Sequence, residues 1–185
     1  KIMIRILIAL QFATLLFGQK IFEEFEKDRN NKYHYKETYR FDTVPDDGSY
    51  TVLLESVEGD IRVSAHKGAS AEITIIRKIR ATREKKAKRL VNDAKILVYH
   101  VEDDQLIQVR SEKKIRYKRG VHTEFELKLP MNINLNLKTT GGDIDVTDIR
   151  GESVLRTSGG DLDLENLMGR IEAHTSGGDI DVSRV

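Results

Sequence analysis

Six aspartates fall in pairs, Asp143 and Asp145, Asp161 and Asp163, Asp179 and Asp181, each pair 18 residues after the one before. Carboxylates two apart and repeated at a fixed height suit two kinds of chemistry. They could gather oxygens around calcium, which takes roughly 6–8 of them, or serve as the paired acid and base of a glycoside-cleaving enzyme. Calcium-binding nonapeptide repeats, whose coil is also 18 residues, place Gly-Gly twice per coil in a Gly-Gly-x-Gly-x-Asp frame, whereas this chain has it once with no third glycine, and carboxylates on a wet strand face are ordinarily solvated. An active site should break a repeat, whereas these acidic positions obey it. The expectation is outward, solvated aspartates with no metal and no cofactor, and calcium stands as the alternative.

Other reactive side chains offer less. The histidines (His34, His66, His100, His122, His174) are scattered without metal-ligand spacing. Ser158 and Ser176 recur at equivalent corners, where a hydroxyl turns back to hydrogen-bond the backbone, while a nucleophile normally occurs once. With no cysteine in the sequence, thiol catalysis, disulfides and cysteine-held zinc are excluded. No catalytic residue is assigned.

Charge is unevenly placed although the net formal charge is only +1. From Ile73 to Arg119 there are 15 Lys and Arg against 6 Asp and Glu, whereas Thr139 to Val185 has 4 against 10. Arg83, Lys85, Lys86, Lys88, Arg89, Lys113, Lys114, Arg116, Lys118 and Arg119 are candidates for a patch that meets an anionic polymer or lipid headgroups. The plainer reading is a solvated helix face and a charged hairpin. Nucleic acid is not an expected partner, because the N-terminus directs the chain away from it.

Those residues are positioned by a tandem repeat. Thr-Thr-Gly-Gly-Asp-Ile-Asp-Val at Thr139–Val146 returns at Thr157–Leu164 and Thr175–Val182. Folding the chain at that step aligns Leu137, Leu155 and Ala173; Ile144, Leu162 and Ile180; and Val146, Leu164 and Val182. Apolar and polar residues alternate with a period of two inside each copy, as in a strand with one buried face. Each copy holds two short strands, turned at Gly141-Gly142, Gly159-Gly160 or Gly177-Gly178 and again at Gly151 or Gly169. The fold class expected is mainly β, a β-solenoid of stacked short strands with one inserted α-helix.

The repeat domain should cover residues 49–185, with its clear copies at 133–185. Gly59-Asp60-Ile61-Arg62-Val63 reads as a worn copy of the Gly-Asp-Ile-Asp-Val corner. Strands are expected at Ala71–Arg80, Lys95–Val101, Gln105–Arg110 and Thr123–Leu129. A helix at about 82–94 is capped by Thr82 and turns Ala87, Leu90, Val91 and Ala94 to the sheet. Residues 20–48 have no clean period and read as a polar leader or linker.

Residues 1–19 read as a secretory signal peptide. Lys1 and Arg5 precede an apolar run from Ile6 to Gly18, too short for a membrane span of roughly 20 residues. The implied destination is secretion or the cell envelope, with peripheral membrane contact or none. Because the sequence opens on Lys and stops inside a repeat at Val185, the further expectation is a longer natural chain. The edge at Asp179–Val185 would then be prone to self-association.

A degenerate Gly-Asp-Ile strand, a charged helix set between strands, Leu-Pro-Met-Asn-Ile-Asn-Leu at Leu129–Leu135 and the Thr-Ser-Gly-Gly-Asp repeats resemble the bacterial putative-adhesin family of β-strand-repeat domains. The resemblance runs from Phe41 to Val185. Members often carry Val-Asn-Gly-Asp where this chain has Ser-Gly-Gly-Asp. It implies a non-catalytic, extracytoplasmic module of the bacterial envelope, for adhesion or surface sensing, and supplies no catalytic residues. The alternatives are a polysaccharide-active enzyme on a β-helix scaffold and a calcium-stabilised repeat domain.

Overall fold

Alternating apolar residues draw most of the chain into strands, and their register decides which side chains share a face. A computed structural model describes residues 15–17, 19–30, 32–112 and 120–185. Most of the signal-like segment lies outside them, as do Lys113, Lys114, Arg116, Lys118 and Arg119. In chain order the elements are β1 (Leu15–Phe17), β2 (Gln19–Lys27), β3 (Tyr33–Phe41), β4 (Thr51–Val57), β5 (Asp60–His66) and β6 (Ala71–Ile79), followed by α1 (Glu84–Asp93). Then come β7 (Ile96–Val101), β8 (Leu106–Ser111), β9 (Val121–Pro130), β10 (Asn134–Thr139), β11 (Ile144–Thr147), β12 (Ser153–Thr157), β13 (Leu162–Glu165), β14 (Ile171–Thr175) and β15 (Ile180–Ser183).

These strands make two open, mixed sheets. One runs β1-β7-β8-β4-β10-β12-β14 and the other β15-β13-β11-β5-β9-β6-β3-β2. The repeats alternate between them, one strand of each copy in each sheet. Their pairing is parallel and in register: Leu137 with Leu155, Leu155 with Ala173, Ile144 with Leu162, Leu162 with Ile180. The worn copy joins the same series, since Ile61 pairs with Ile144 and Val63 with Val146. A solenoid along the whole of 49–185 is not what is observed. Both sheets remain open, and β2, β3, β6 and β9 as well as β7 and β8 pair antiparallel.

One apolar cluster draws on both sheets. Leu54, Leu137 and Leu155 from the first meet Ile61, Ile144 and Leu162 from the second, and each is fully buried. Burial of side chains this size contributes about 1.5–3 kcal/mol each. The cover thins along the stack: Ile180 and Val182 are 42% and 49% exposed.

The segment 20–48 departs from its reading as a leader. It contributes β2 and β3, and β3 pairs with β6 over its full length. Tyr33, Tyr35, Glu37, Tyr39 and Phe41 of β3 alternate onto one buried face, and the charged Glu37 among them interrupts the apolar period. Phe41 and Tyr39 enter the main core, while Tyr33 and Tyr35 pack with Ile79 against Ala87 and Val91 of α1. The helix thus lies on the sheet as its apolar stripe requires, but it starts at Glu84. Its N-cap is Arg83, with no side-chain hydrogen bond, so Thr82 does not cap it. At the other end the Arg77 guanidinium donates to the Val91 and Ala94 carbonyls at 3.1 and 2.7 Å, meeting groups a helix end leaves unpaired.

Candidate functional site

The repeat's polar residues are held by the corners between its strands. In each corner the second glycine packs onto the corner before it: a Cβ on Gly160 would lie 2.1 Å from the Gly142 carbonyl oxygen, and one on Gly178 2.2 Å from that of Gly160. The first glycine differs, for a Cβ on Gly141 or Gly159 would meet nothing within 4 Å. The threonine before the pair seals the contact. Thr139 donates its hydroxyl to the Gly59 carbonyl at 3.0 Å, Thr157 to Gly142 at 2.9 Å and Thr175 to Gly160 at 2.8 Å.

The two aspartate columns have different surroundings. In the first, each carboxylate accepts the backbone N–H of the next copy's aspartate: Asp60 from Asp143 at 3.3 Å, Asp143 from Asp161 at 2.9 Å, Asp161 from Asp179 at 2.8 Å. Asp143, Asp161 and Asp179 are exposed and Asp60 is half-buried, yet they are not simply solvated; the bonds link one coil to the next. The second column, Asp145, Asp163 and Asp181, lines a shallow groove with Thr147, Glu165 and Ser183. Arg62 of the worn copy heads that column, its Nε donating to Asp145 at 3.2 Å. The Asp163 carboxyl is pushed above the ordinary aspartate range, by desolvation first and then by Asp145 and Asp181 on either side.

The basic candidates on α1 are all exposed: Arg83, Lys85, Lys86, Lys88 and Arg89. Lys88 pairs with Glu84 at 2.6 Å and stands over the Phe25 ring, which leaves the other four as the outward positive row.

Beneath the helix lies a buried polar group that sequence reading passed over. Glu37, 3% exposed, binds the Arg77 guanidinium, accepts hydrogen bonds from Tyr35 and Tyr39 at 3.2 and 3.1 Å, and pairs with Lys20 at 2.9 Å. Burial, then the Glu37 charge, pushes the Tyr39 phenol up to about 12. Partial burial pulls Lys20 down, but Glu37 and Glu23 outweigh it and hold its ammonium above the usual lysine range. The charges are paired inside the network, which accounts for it as the anchor of α1 and β2 on the sheet.

The histidines also find separate partners. His34 meets Asp28 at 3.1 Å, His66 the Ser70 carbonyl at 2.9 Å, and the buried His100 the Tyr50 hydroxyl at 3.1 Å. His122 alone among these lies against two carboxylates, Asp60 and Glu124. The signal in the sequence was the spacing of His122 and Glu124, two apart and so on one face of a strand; the third member, Asp60, comes from another strand. Among the described residues no helix is long and apolar enough to cross a membrane.

No protein-family model matches the chain, and no curated protein matches it in sequence. Among solved structures it is similar to the crystal structure of a putative cell adhesion protein from Clostridium sporogenes. The two are 10% identical, with a TM-score of 0.43, over 80% of this chain and 99% of that one.

Proposed function

We propose that this chain is a non-catalytic interaction module of the bacterial envelope, exported by its N-terminal segment, in which the three clear copies act as coils of a short β-solenoid. The observation that carries the reading is how the repeat uses its reactive groups. The threonine and the first aspartate of each copy are engaged in holding the neighbouring copy. Residues used to maintain a scaffold at every step favour a surface that binds over a site that reacts. The solenoid reading is supported by parallel, in-register pairing at a constant 18-residue step.

The surface best suited to a partner is the outward row Arg83, Lys85, Lys86 and Arg89, and the partner it suits is an anionic envelope polymer. One observation favours the enzymatic alternative: Asp163 stands in an open groove between Asp145 and Asp181, where desolvation and then those two neighbours push its carboxyl up.

The experiment is retention of the protein on anionic and neutral envelope polysaccharides, with product analysis. The proposal expects saturable, salt-sensitive binding to the anionic polymer, lost when Lys85, Lys86 and Arg89 are changed to Glu, and no products. Polymer cleavage that disappears in Asp163→Asn would replace it with the enzyme.

A further inference from the structure

β9 brings His122 and Glu124 to one face, and β5 runs parallel beside it with Asp60 directly opposite Glu124. His122 Nε2 lies 3.2 Å from Asp60 Oδ2 and 3.2 Å from Glu124 Oε1, and the three donor atoms fall within 4.8 Å of one another. An imidazole nitrogen carries at most one proton, so it cannot give each carboxylate its own hydrogen bond. A cation answers both oxygens and the nitrogen together. Ligands held about 2.0–2.2 Å from a metal stand roughly 3.0–3.5 Å apart, which the two measured edges match.

We infer that Asp60, His122 and Glu124 form a site for a divalent transition ion of zinc's class, its remaining positions filled by water. One imidazole and two carboxylates are donors that such ions accept, whereas calcium asks for more oxygens than converge here. The second oxygen of Asp60 is fixed by the Asp143 N–H at 3.3 Å, an outer contact that orients the ligand. The side chains of Asp60 and Glu124 are 22% and 13% exposed and that of His122 51%, so the carboxylates form a sheltered floor with the imidazole at the rim.

Two further observations bear on it. The site breaks the repeat: Asp143, Asp161 and Asp179 stand in the same column as Asp60, but only Asp60 has β9, with its histidine, as a neighbour. Lys78, opposite His122 on β6, places its ammonium on the same Glu124 oxygen. That lysine is a competing cation, and its 43% exposed side chain is free to swing out when a metal enters. The bound ion would clamp β5 to β9 at the base of the stack. None of this depends on the partner or on the absence of catalysis proposed above.

The test is titration of the chelator-treated full chain with Zn2+ by calorimetry and with Co2+ by visible absorption. One equivalent should bind, with cobalt ligand-field bands. His122→Ala should abolish the bands, and Asp60→Asn and Glu124→Gln should each weaken binding about tenfold or more. Lys78→Met should tighten it, Asp163→Asn should leave it unchanged, and millimolar Ca2+ should not displace Zn2+. Absence of saturable Zn2+ binding overturns the site, as does binding unaltered in both His122→Ala and Glu124→Gln, or displacement by equimolar Ca2+. Melting of the metal-free variants at the wild-type temperature confirms that lost binding is lost ligation.

Discussion

Asp161 accepts the backbone N–H of Asp179 at 2.8 Å, one coil ahead of it. The bond gives an exposed acidic residue a structural role that its position on the wet face conceals. Asp161→Ala removes the acceptor and should cost about 0.5–1.5 kcal/mol. Asp161→Asn keeps an oxygen at the same place and should retain most of the stability. Thermal unfolding of the pair checks this, since about 1 kcal/mol corresponds to roughly 2–4 °C in a chain of this size. Equal melting of the alanine variant and wild type would show the bond to be idle.

The paired glycines of a corner should behave as opposites. Gly159→Ala adds a methyl where nothing lies within 4 Å, and should be neutral or stabilising by up to about 1 kcal/mol. Gly160→Ala drives a methyl to 2.1 Å from the Gly142 carbonyl oxygen, so the coils must separate. Urea midpoints for the two variants should move apart; a shared shift would contradict the packing.

Leu162 and Asp163 are neighbours on opposite faces. Leu162 is fully buried between Ile144 and Ile180, and Leu162→Asp should cost several kcal/mol by placing an unpaired charge in the core. Asp163→Asn should leave stability at neutral pH unchanged or slightly higher, by relieving repulsion from Asp145 and Asp181. Its raised folded pKa sets the sign with pH: protonation is favoured in the folded state, so the wild type gains on the Asn variant as pH falls through a window just above the ordinary value of 3.8. Parallel pH curves for the two would deny the coupling.

Glu37 supports the opposite end of the molecule. Glu37→Ala leaves the Arg77 guanidinium, 2% exposed, without its counter-charge, and should cost about 3–5 kcal/mol. The Tyr39 phenol reports on the same group. With a folded pKa of about 12 against an ordinary 10.0, its neutral form contributes stability that is complete below pH 10.0 and is lost as pH rises through about 12. Ultraviolet titration should find the phenol titrating lower once Glu37 is gone.

The sequence exposed the parts of this fold in which neighbours in space are also neighbours at a fixed step. Leu137, Leu155 and Ala173 could be aligned by counting, and the worn copy at Gly59–Val63 proved to be in register with Gly142–Val146. What could not be counted is the insertion between those two copies. β6 to β9 intervene in the chain, yet β9 returns to lie beside β5, so His122 reaches Asp60 through a pairing that no local period encodes. β3 was hidden for another reason: Tyr33, Tyr35, Glu37, Tyr39 and Phe41 do alternate onto one buried face, but a charged residue stands in the middle of that row and the rest are mostly amphipathic tyrosines. Periodicity counts apolar residues, and a buried carboxylate whose partner, Arg77, comes from another strand interrupts the count.

The hydrogen bonds from Asp60 to Asp143 to Asp161 to Asp179 all point the same way along the stack. Each coil therefore presents a preset acceptor to the coil after it, so the repeat carries its own template: one coil fixes the height and register at which the following 18 residues can be laid down.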